Sequence, residues 1–417
     1  MLTQWYEPEP GPAMTISVVA RELAGRGHDV HVLTGFPNYP TGLVADGYCQ
    51  RPLLREDIGG VDVIRVPLIP SHDHSAVRRI VNYASFSLSA SAIGVPNFPA
   101  VDALWVGFSP ITLSLPTWCL QLARGTPTVC FVGDLWPDTI AVSGLTGAGV
   151  VLRVGWAAID RWCRAMYASS DAVVYISPSV GDVLAGRGVP RSKLRYIPVS
   201  TDERSFHPGG RSMRADLGID PNAVVVLYAG TMGGAQGLDA LIDAAALVDD
   251  ERLVVLLAGS GTQEADIRRR ATAPAVRFIG RVPQERMIDL MATCDISFVS
   301  LVDHPLSNAT MPSKTQSALA AGRPVLAASA GDLHQLVERR GVGLTARPGD
   351  PESIAAALHS ALELGQEGLA RLGERAREVY LDEFSVTHVS SRMEDLLGAV
   401  ARRRRKGLVR TRPAMGQ

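Results

Sequence analysis

Short apolar runs alternate with amphipathic stretches along most of this chain. LTQWY (2–6) is followed by a Pro/Gly loop, PEPGP, and then by AMTISVVARELAGRG. There Ile16, Val19, Ala20 and Leu23 recur at helical spacing, and Gly27 falls where a C-terminal cap belongs. HDVHVLT reads as a second strand, so the opening is a βαβ unit of a parallel sheet. Its first strand begins abruptly at residue 2, and the expectation is that a few residues precede it. Further strands are predicted at 61–68, 102–108, 126–133, 171–177 and 193–199. A polar stretch, STDERSFHPGGRSMRADLGIDPN, interrupts the alternation, which then resumes. Strands are predicted at 223–230, 252–259, 276–280, 295–300 and 323–328. Helices are predicted at 237–248, 262–272, 283–293, 313–321 and 332–339. The last region, 351–400, is amphipathic and broken near Glu383-Phe384-Ser385.

Length agrees with this pattern, because 417 residues exceed one ordinary core. The prediction is an α/β protein with two Rossmann-like, doubly wound domains at 1–200 and 201–375. A helix at 376–400 returns to the first domain, and a basic, disordered tail fills 401–417. Hydrophobic residues at 46% and charged residues at 20% mark a globular chain. Five cysteines without CxxC spacing are expected to be reduced core residues, which argues against a zinc site or a disulfide framework. Met1 runs straight into LTQWYEPEP with no basic leader region.

Charge adds an asymmetry. The tail holds Arg402, Arg403, Arg404, Arg405, Lys406, Arg410 and Arg412; removing these seven from 41 basic residues leaves 34 against 42 acidic. The tail reads either as a solvated segment or as a polybasic contact with anionic lipid. The acidic body offers no basic face for nucleic acid. From Ile80 to Gly133 the only charges are Asp102 and Arg124. Asn82, Asn97, several serines and the prolines Pro96, Pro99, Pro110 and Pro116 interrupt this run, so it is not a membrane span. Two readings stay open: buried core, or a helix whose apolar face meets a membrane or a lipid-linked substrate, with Arg78 and Arg79 at its edge.

Ligands of doubly wound sheets bind beyond the C-terminal ends of the strands, so two such domains are expected to share a cleft there. GTMGGAQGL (230–238) makes an amide-rich loop at a helix start, a phosphate cradle that includes Gly233 and Gly234. It matches neither GxGxxG nor a P-loop. DLWPDT places Asp134 at a strand end, where it either caps a helix or meets a sugar or a developing positive charge. No DxD, GxSxG or HExxH occurs, and the HDH at 72–74 reads as exposed loop. No metal and no cofactor are therefore expected. Phosphate charge falls to backbone amides, a helix dipole and single cations. NATMPSK (308–314) supplies these in an acid-free helix start with Pro312, Ser313 and Lys314.

Together PEPGPAM, GHDVHVLTGFPNYPTG, DLWPD, YAGTMGGAQGL, LLAGSG and MPSKTQSALAAGRPVLA resemble the retaining glycosyltransferases of family 4. The similarity is to their bacterial branch of colanic-acid and O-antigen type enzymes, over about residues 1–395. The resemblance implies the GT-B architecture and metal-independent transfer with retention from a nucleotide-sugar, UDP-linked in the favoured reading. The acceptor would be a glycan, a polyprenyl-linked sugar or a small molecule, and the enzyme would be cytoplasmic or peripheral on the inner membrane face. By position, Gly259, Gly261, Arg281 and Val282 would line the base, and Ser317 would approach the ribose. Thr310, Met311, Pro312 and Ser313 would present backbone to the pyrophosphate, with Lys314 as cation. Gly11 would approach the leaving phosphate, Asp134 would reach donor sugar or acceptor, and Asn38 and Tyr39 would lie on the acceptor side. Two departures stand out: Ala309 and Ser317 replace the family's glutamate pair, and Thr231 and Gln236 replace its Arg and Lys. Alternatives are a nucleotide-sugar epimerase of the same fold and a non-catalytic partner subunit.

Overall fold

The structure is a computed structural model that describes residues 1–71, 76–138 and 150–410. The HDH motif and residues 411–417 lie outside the described residues. The chain divides into two compact units, Met1–Pro198 with Val389–Gln417, and Val199–His388. The return to the first unit thus begins at Val389, within a helix, rather than at 376.

In the first unit, β1 (His31–Gly35) and β3 (Asp62–Val66) run parallel, and β2 (Leu54–Asp57) pairs antiparallel with β3. The sequence gives β2 no apolar alternation, which is why only the tertiary pairing reveals it. A second run is parallel in the order β4 (Leu104–Gly107), β5 (Thr128–Val132), β6 (Ala172–Tyr175) and β7 (Leu194–Tyr196). The first predicted strand, LTQWY, is present only as a bridge. Leu2 pairs in parallel with both Leu33 and Val106 and so joins the two runs. Helix α1 (Pro12–Gly25) packs Ile16, Val19, Ala20 and Leu23 inward, the stripe predicted from their spacing, and buries Ala13 beside them. The other helices used below are α2 (Ala76–Ser89), α3 (Ser114–Arg124), α4 (Val150–Ser169) and α5 (Pro178–Gly186).

The second unit is one six-stranded parallel sheet. Its strands are β8 (Val224–Thr231), β9 (Leu253–Ser260), β10 (Val276–Gly280), β11 (Ile296–Ser300), β12 (Val325–Ala328) and β13 (Gly343–Ala346). Their spatial order is β10-β9-β8-β11-β12-β13. The last strand was not anticipated, because GLTA is short and only half apolar. Along β8, Val224, Val226 and Tyr228 enter one core while Val225 and Leu227 enter another. Both faces are therefore covered, as the unbroken aliphatic run requires. Helices α6 (Leu238–Leu247) and α10 (Gly331–Arg340) flank the sheet with α7 (Glu264–Arg270), α8 (Met287–Thr293), α9 (Ser313–Ala320) and α11 (Pro351–Val379).

The final region breaks where the sequence indicated. A π-helical turn, Tyr380–Phe384, and extended backbone at Ser385 separate α11 from α12 (Val386–Arg410). Residues 401–410, expected as disordered tail, continue this helix instead. Arginine and lysine are good helix formers, and their positive charge suits a helix C-terminus. The cysteine expectation also needs correction. Cys130, Cys163 and Cys294 are buried, but Cys119 is half-buried and Cys49 exposed.

Candidate functional site

Strand order places a topological switch in the second unit. From β8 the chain builds outward to β9 and β10, then returns to the other side of β8 for β11, β12 and β13. Loops part at such a point, and ligands settle there. The loops after β8, β9 and β10 are knitted together. Gly230 pairs with Gly259 and Thr231 with Ser260. Beyond the strands, Met232 N–H donates to Ser260 O at 2.9 Å, and Gln263 N–H to Met232 O at 3.0 Å. Gly259 has φ 126°, and a Cβ there would collide with the Gly230 carbonyl. Its first job is thus to let two loops touch. Arg281 follows β10 and donates from Nε to Ser260 Oγ at 2.6 Å, while Val282 packs on the core.

The loop after β8 is pinned to β11. Ser300 Oγ donates to Gln236 O at 2.6 Å, and Val302 N–H to Ala235 O at 3.0 Å. Gln236 Oε1 accepts from Gly233 N–H at 3.2 Å. Gln236 therefore closes its own loop, and neither it nor Thr231 brings a cation.

The cation comes from α9. Lys314 lies in its first turn, and its Nζ sits 5.0 Å from the centre of the Tyr228 ring on β8. It also lies beside Gly230, where a Cβ would stand 3.0 Å from Nζ. The first turn of α9 contains no acid and no side chain caps it. Its leading amides face forward with the positive end of the helix dipole. Lys314 makes no ion pair among the described residues, and burial pushes the pKa of its ammonium down to about 8. Ahead of the helix, Thr310 Oγ1 donates to Leu306 O at 2.7 Å. Met311 is buried, Pro312 is the extended N-cap and Ser313 is exposed. Ser317 bonds Thr201 through their hydroxyls at 3.0 Å. Sequence reasoning missed Gln316, which is fully buried with both amide atoms unpaired.

In the first unit, Gly11 begins α1 with φ 72° and no capping side chain, and a Cβ there would meet Tyr39 Cε1 at 3.6 Å. Glu9, absent from the candidate set, organises this corner. Its carboxylate accepts from the amides of Tyr6 at 3.1 Å, Asn38 at 2.7 Å and Tyr39 at 2.8 Å. Burial pushes its pKa up, against the pull of those bonds. Arg65 is completely buried behind it and donates to Gly35 O at 3.0 Å, to Glu7 O and to Glu56. Asn38 is turned inward: its Nδ2 donates to Phe36 O at 3.1 Å, and its Oδ1 accepts from Asn82 at 3.4 Å. Tyr39 is half-buried beside Gly11. Asp134 is exposed and accepts from Ser109 Oγ at 2.7 Å, at the end of the neighbouring strand. The helix it would otherwise cap runs into residues outside those described. The structure thus collects Gly233, Gly234, Gly259, Gly261, Arg281 and Lys314 at one end of the second sheet. In the first unit, Gly11 and Tyr39 stand together.

Two family models match this chain. Residues 11–200 match the glycosyl transferase 4-like domain, and residues 223–363 match glycosyl transferases group 1. Between them they span most of the sequence, and the chain belongs to the GT-B glycosyltransferases of family 4. Within that class it is similar to WcaI of Escherichia coli (strain K12), described as a colanic acid biosynthesis glycosyl transferase. The two are 28% identical, over 86% of this chain and 90% of that protein. The glycosyltransferase WbjE of Pseudomonas aeruginosa is 24% identical over 68% of this chain and 71% of its own. Among solved structures, Anabaena HepE in complex with UDP and glucose superposes with a TM-score of 0.68 at 17% identity. That match covers 95% of this chain and 98% of HepE. WaaG, a glycosyltransferase involved in lipopolysaccharide biosynthesis, gives 0.63 at 18% identity, covering 95% and 98%. These likenesses support the GT-B fold and make the chain a glycosyltransferase.

Proposed function

We propose that this enzyme moves a sugar from a nucleotide-sugar, UDP-linked in the favoured case, to a hydroxyl of a glycan or lipid-linked acceptor, without a metal and with retention. One observation carries the reading: Lys314, a cation with no carboxylate partner among the described residues, sits at an acid-free helix start over the switch point between β8 and β11. A diphosphate is the chemistry that compensates both a cation and free helix amides. The UDP in HepE and the polysaccharide role described for WcaI support donor and acceptor class.

The leaving diphosphate would be held by Lys314 Nζ and by the amides of residues 313 and 314, with the loop at 233–234 beside it. As the bond between the anomeric carbon and the diphosphate breaks, negative charge grows where these donors point, so they bind the transition state more tightly than the donor. The departing phosphate oxygen takes the acceptor's proton, and the acceptor oxygen attacks the same face. Asp134 would orient the acceptor or stabilise positive charge at the anomeric carbon. A nucleotide-sugar is a cytoplasmic co-substrate, so the reaction belongs in the cytoplasm or at the inner face of the membrane.

A thermal-shift screen with UDP, GDP, dTDP and their sugars tests the reading. A ligand at 100 times its Kd adds about 2.7 kcal/mol. A shift with UDP-sugars that Lys314→Ala abolishes is expected; no shift with any nucleotide would refute it. NMR of the product's anomeric configuration tests retention. The loss of the family's carboxylates at Ala309 and Ser317 favours a second reading, a partner subunit that binds donor without turnover. Transfer to any acceptor rejects that reading. An epimerised sugar formed from donor alone would instead point to an epimerase.

A further inference from the structure

Glu9 is a carboxylate at 2% exposure inside the loop PEPGP. Its bonds show what holds it there. One oxygen, Oε1, accepts two successive amides, Asn38 N–H at 2.7 Å and Tyr39 N–H at 2.8 Å. The other, Oε2, accepts Tyr6 N–H at 3.1 Å, and Glu9 N–H donates back to Tyr6 O at 3.2 Å. The side chain thus closes the loop that leads into α1 and fastens it to the loop that follows β1. Amides arriving from two sides need both oxygens of a carboxylate. A carboxamide would offer one oxygen and turn its NH2 group on the remaining amide.

Placing a charge here has a cost, and burial raises the Glu9 pKa. Arg65 opposes that shift from behind. It is fully buried, and its guanidinium holds Gly35 O at the end of β1, Glu7 O in the Glu9 loop, and Glu56 on β2. What the arrangement fixes is Tyr39. A Cβ added to Gly11 would stand 3.6 Å from Tyr39 Cε1 and 3.9 Å from its Oη, so the ring lies along the N-cap of α1. One carboxylate therefore sets both members of this pair. Gly11 follows two residues after it in its own loop, and Tyr39 hangs on it by a backbone amide. Burial and the nearby Glu9 charge push the Tyr39 phenol up, so it keeps its proton at neutral pH.

We infer that Glu9 is a positioning residue for the transfer reaction: its carboxylate holds the Tyr39 hydroxyl beside Gly11 at the start of α1, where that hydroxyl bonds an oxygen of the substrate. The tie between the two loops stands by itself. Its use in transfer rests on the proposed function.

The test is a double-mutant cycle with Glu9→Gln and Tyr39→Phe in the full-length enzyme. Turnover is read as nucleoside diphosphate released from whichever UDP-, GDP- or dTDP-sugar the enzyme consumes. Each substitution should lower kcat about tenfold, the worth of one hydrogen bond in the transition state. Donor KM should stay within about twofold of wild type. The double variant should lose no more than about tenfold, because both changes remove the same contact. A residue that only stabilises the fold would lower the melting temperature and leave kcat alone. Wild-type kcat in Glu9→Gln, or losses that multiply in the double variant, would overturn the inference. If Glu9→Gln does not fold, Glu9→Asp replaces it, keeping the charge and shortening the reach. Hydrogen exchange read by mass spectrometry follows the tie directly. Exchange at Asn38 and Tyr39 should quicken in Glu9→Gln while the second unit exchanges as in wild type; unchanged exchange at these two amides also overturns the inference. If no nucleotide-sugar is consumed, the proposed function fails, and the exchange result alone decides for or against the positioning of Tyr39.

Discussion

At the scale of the residue, Lys314 is where sequence and structure meet most usefully. The sequence marked it as a lysine misplaced at a positive helix end, a position that invites an anion. What it lacked was the partner: Tyr228 is 86 positions earlier and meets Lys314 only because β8 and α9 share the switch point. Replacing Lys314 with Ala should lower kcat/KM on the order of 100-fold, in the range of other lost oxyanion donors. Melting of the donor-free protein should not fall, since the change removes a desolvated charge. The pH dependence has two opposite signs. Burial lowers this ammonium from the usual 10.5 to about 8. Between about pH 8 and pH 10 the unfolded chain holds a proton that the folded chain has lost, so this group adds stability to the donor-free protein as pH rises. Donor binding needs the charged form and should weaken over the same interval. Calorimetric titration of UDP across that range, beside thermal melts without ligand, checks both signs. Glu9 and Arg65 were illegible in the sequence, because an acid in a Pro-rich loop and an arginine in a strand look like surface residues until their partners are known.

At the scale of the element, the glycine loops change meaning. The family resemblance placed Gly259 and Gly261 along the base. The structure shows each pressed against backbone of the neighbouring loop. Gly259→Ala would combine a backbone clash with an unfavourable φ, and a loss of about 3 kcal/mol in denaturant unfolding is expected. UDP affinity should fall with it. The crossing between the units is a second local device. Tyr380 Oη donates to Glu203 Oε1 at 3.0 Å, the same oxygen accepts from Val386 N–H at 3.0 Å, and Ser200 stands 3.1 Å from Tyr380 Oη. Residues next to both chain crossings are thereby tied together inside the second unit. Tyr380→Phe should cost about 1 kcal/mol by the same measurement, while Glu203 keeps its bond to the start of α12. Helix α2 lies in the run whose reading the sequence left open; the structure turns Phe86 to the core together with Asn82 and Ser87, whose partners are Gln4, Ile69 and Thr112.

At the scale of the whole molecule, both cores of the second sheet draw only on residues 206–384. A fragment of residues 199–388 should therefore fold alone, melt cooperatively and keep the UDP-induced shift. A fragment of residues 1–198 should not match it, because Val389, Met393 and Val400 are buried in the intact protein and belong to the first unit. Soluble yield and circular dichroism of the two fragments distinguish these outcomes. The sequence by itself determined the two α/β units, nearly every parallel strand and the break before the last helix. Those features follow from the order of apolar and polar residues along the backbone, which local sterics and burial convert directly into elements. The edge strand β2, the bridging role of Leu2, the inward turn of Asn38 and the face that α2 turns to the core were decided only by tertiary structure. So was the company of Lys314. Each depends on a partner far away in sequence, and no local periodicity encodes which distant group will satisfy a buried amide, carboxylate or guanidinium.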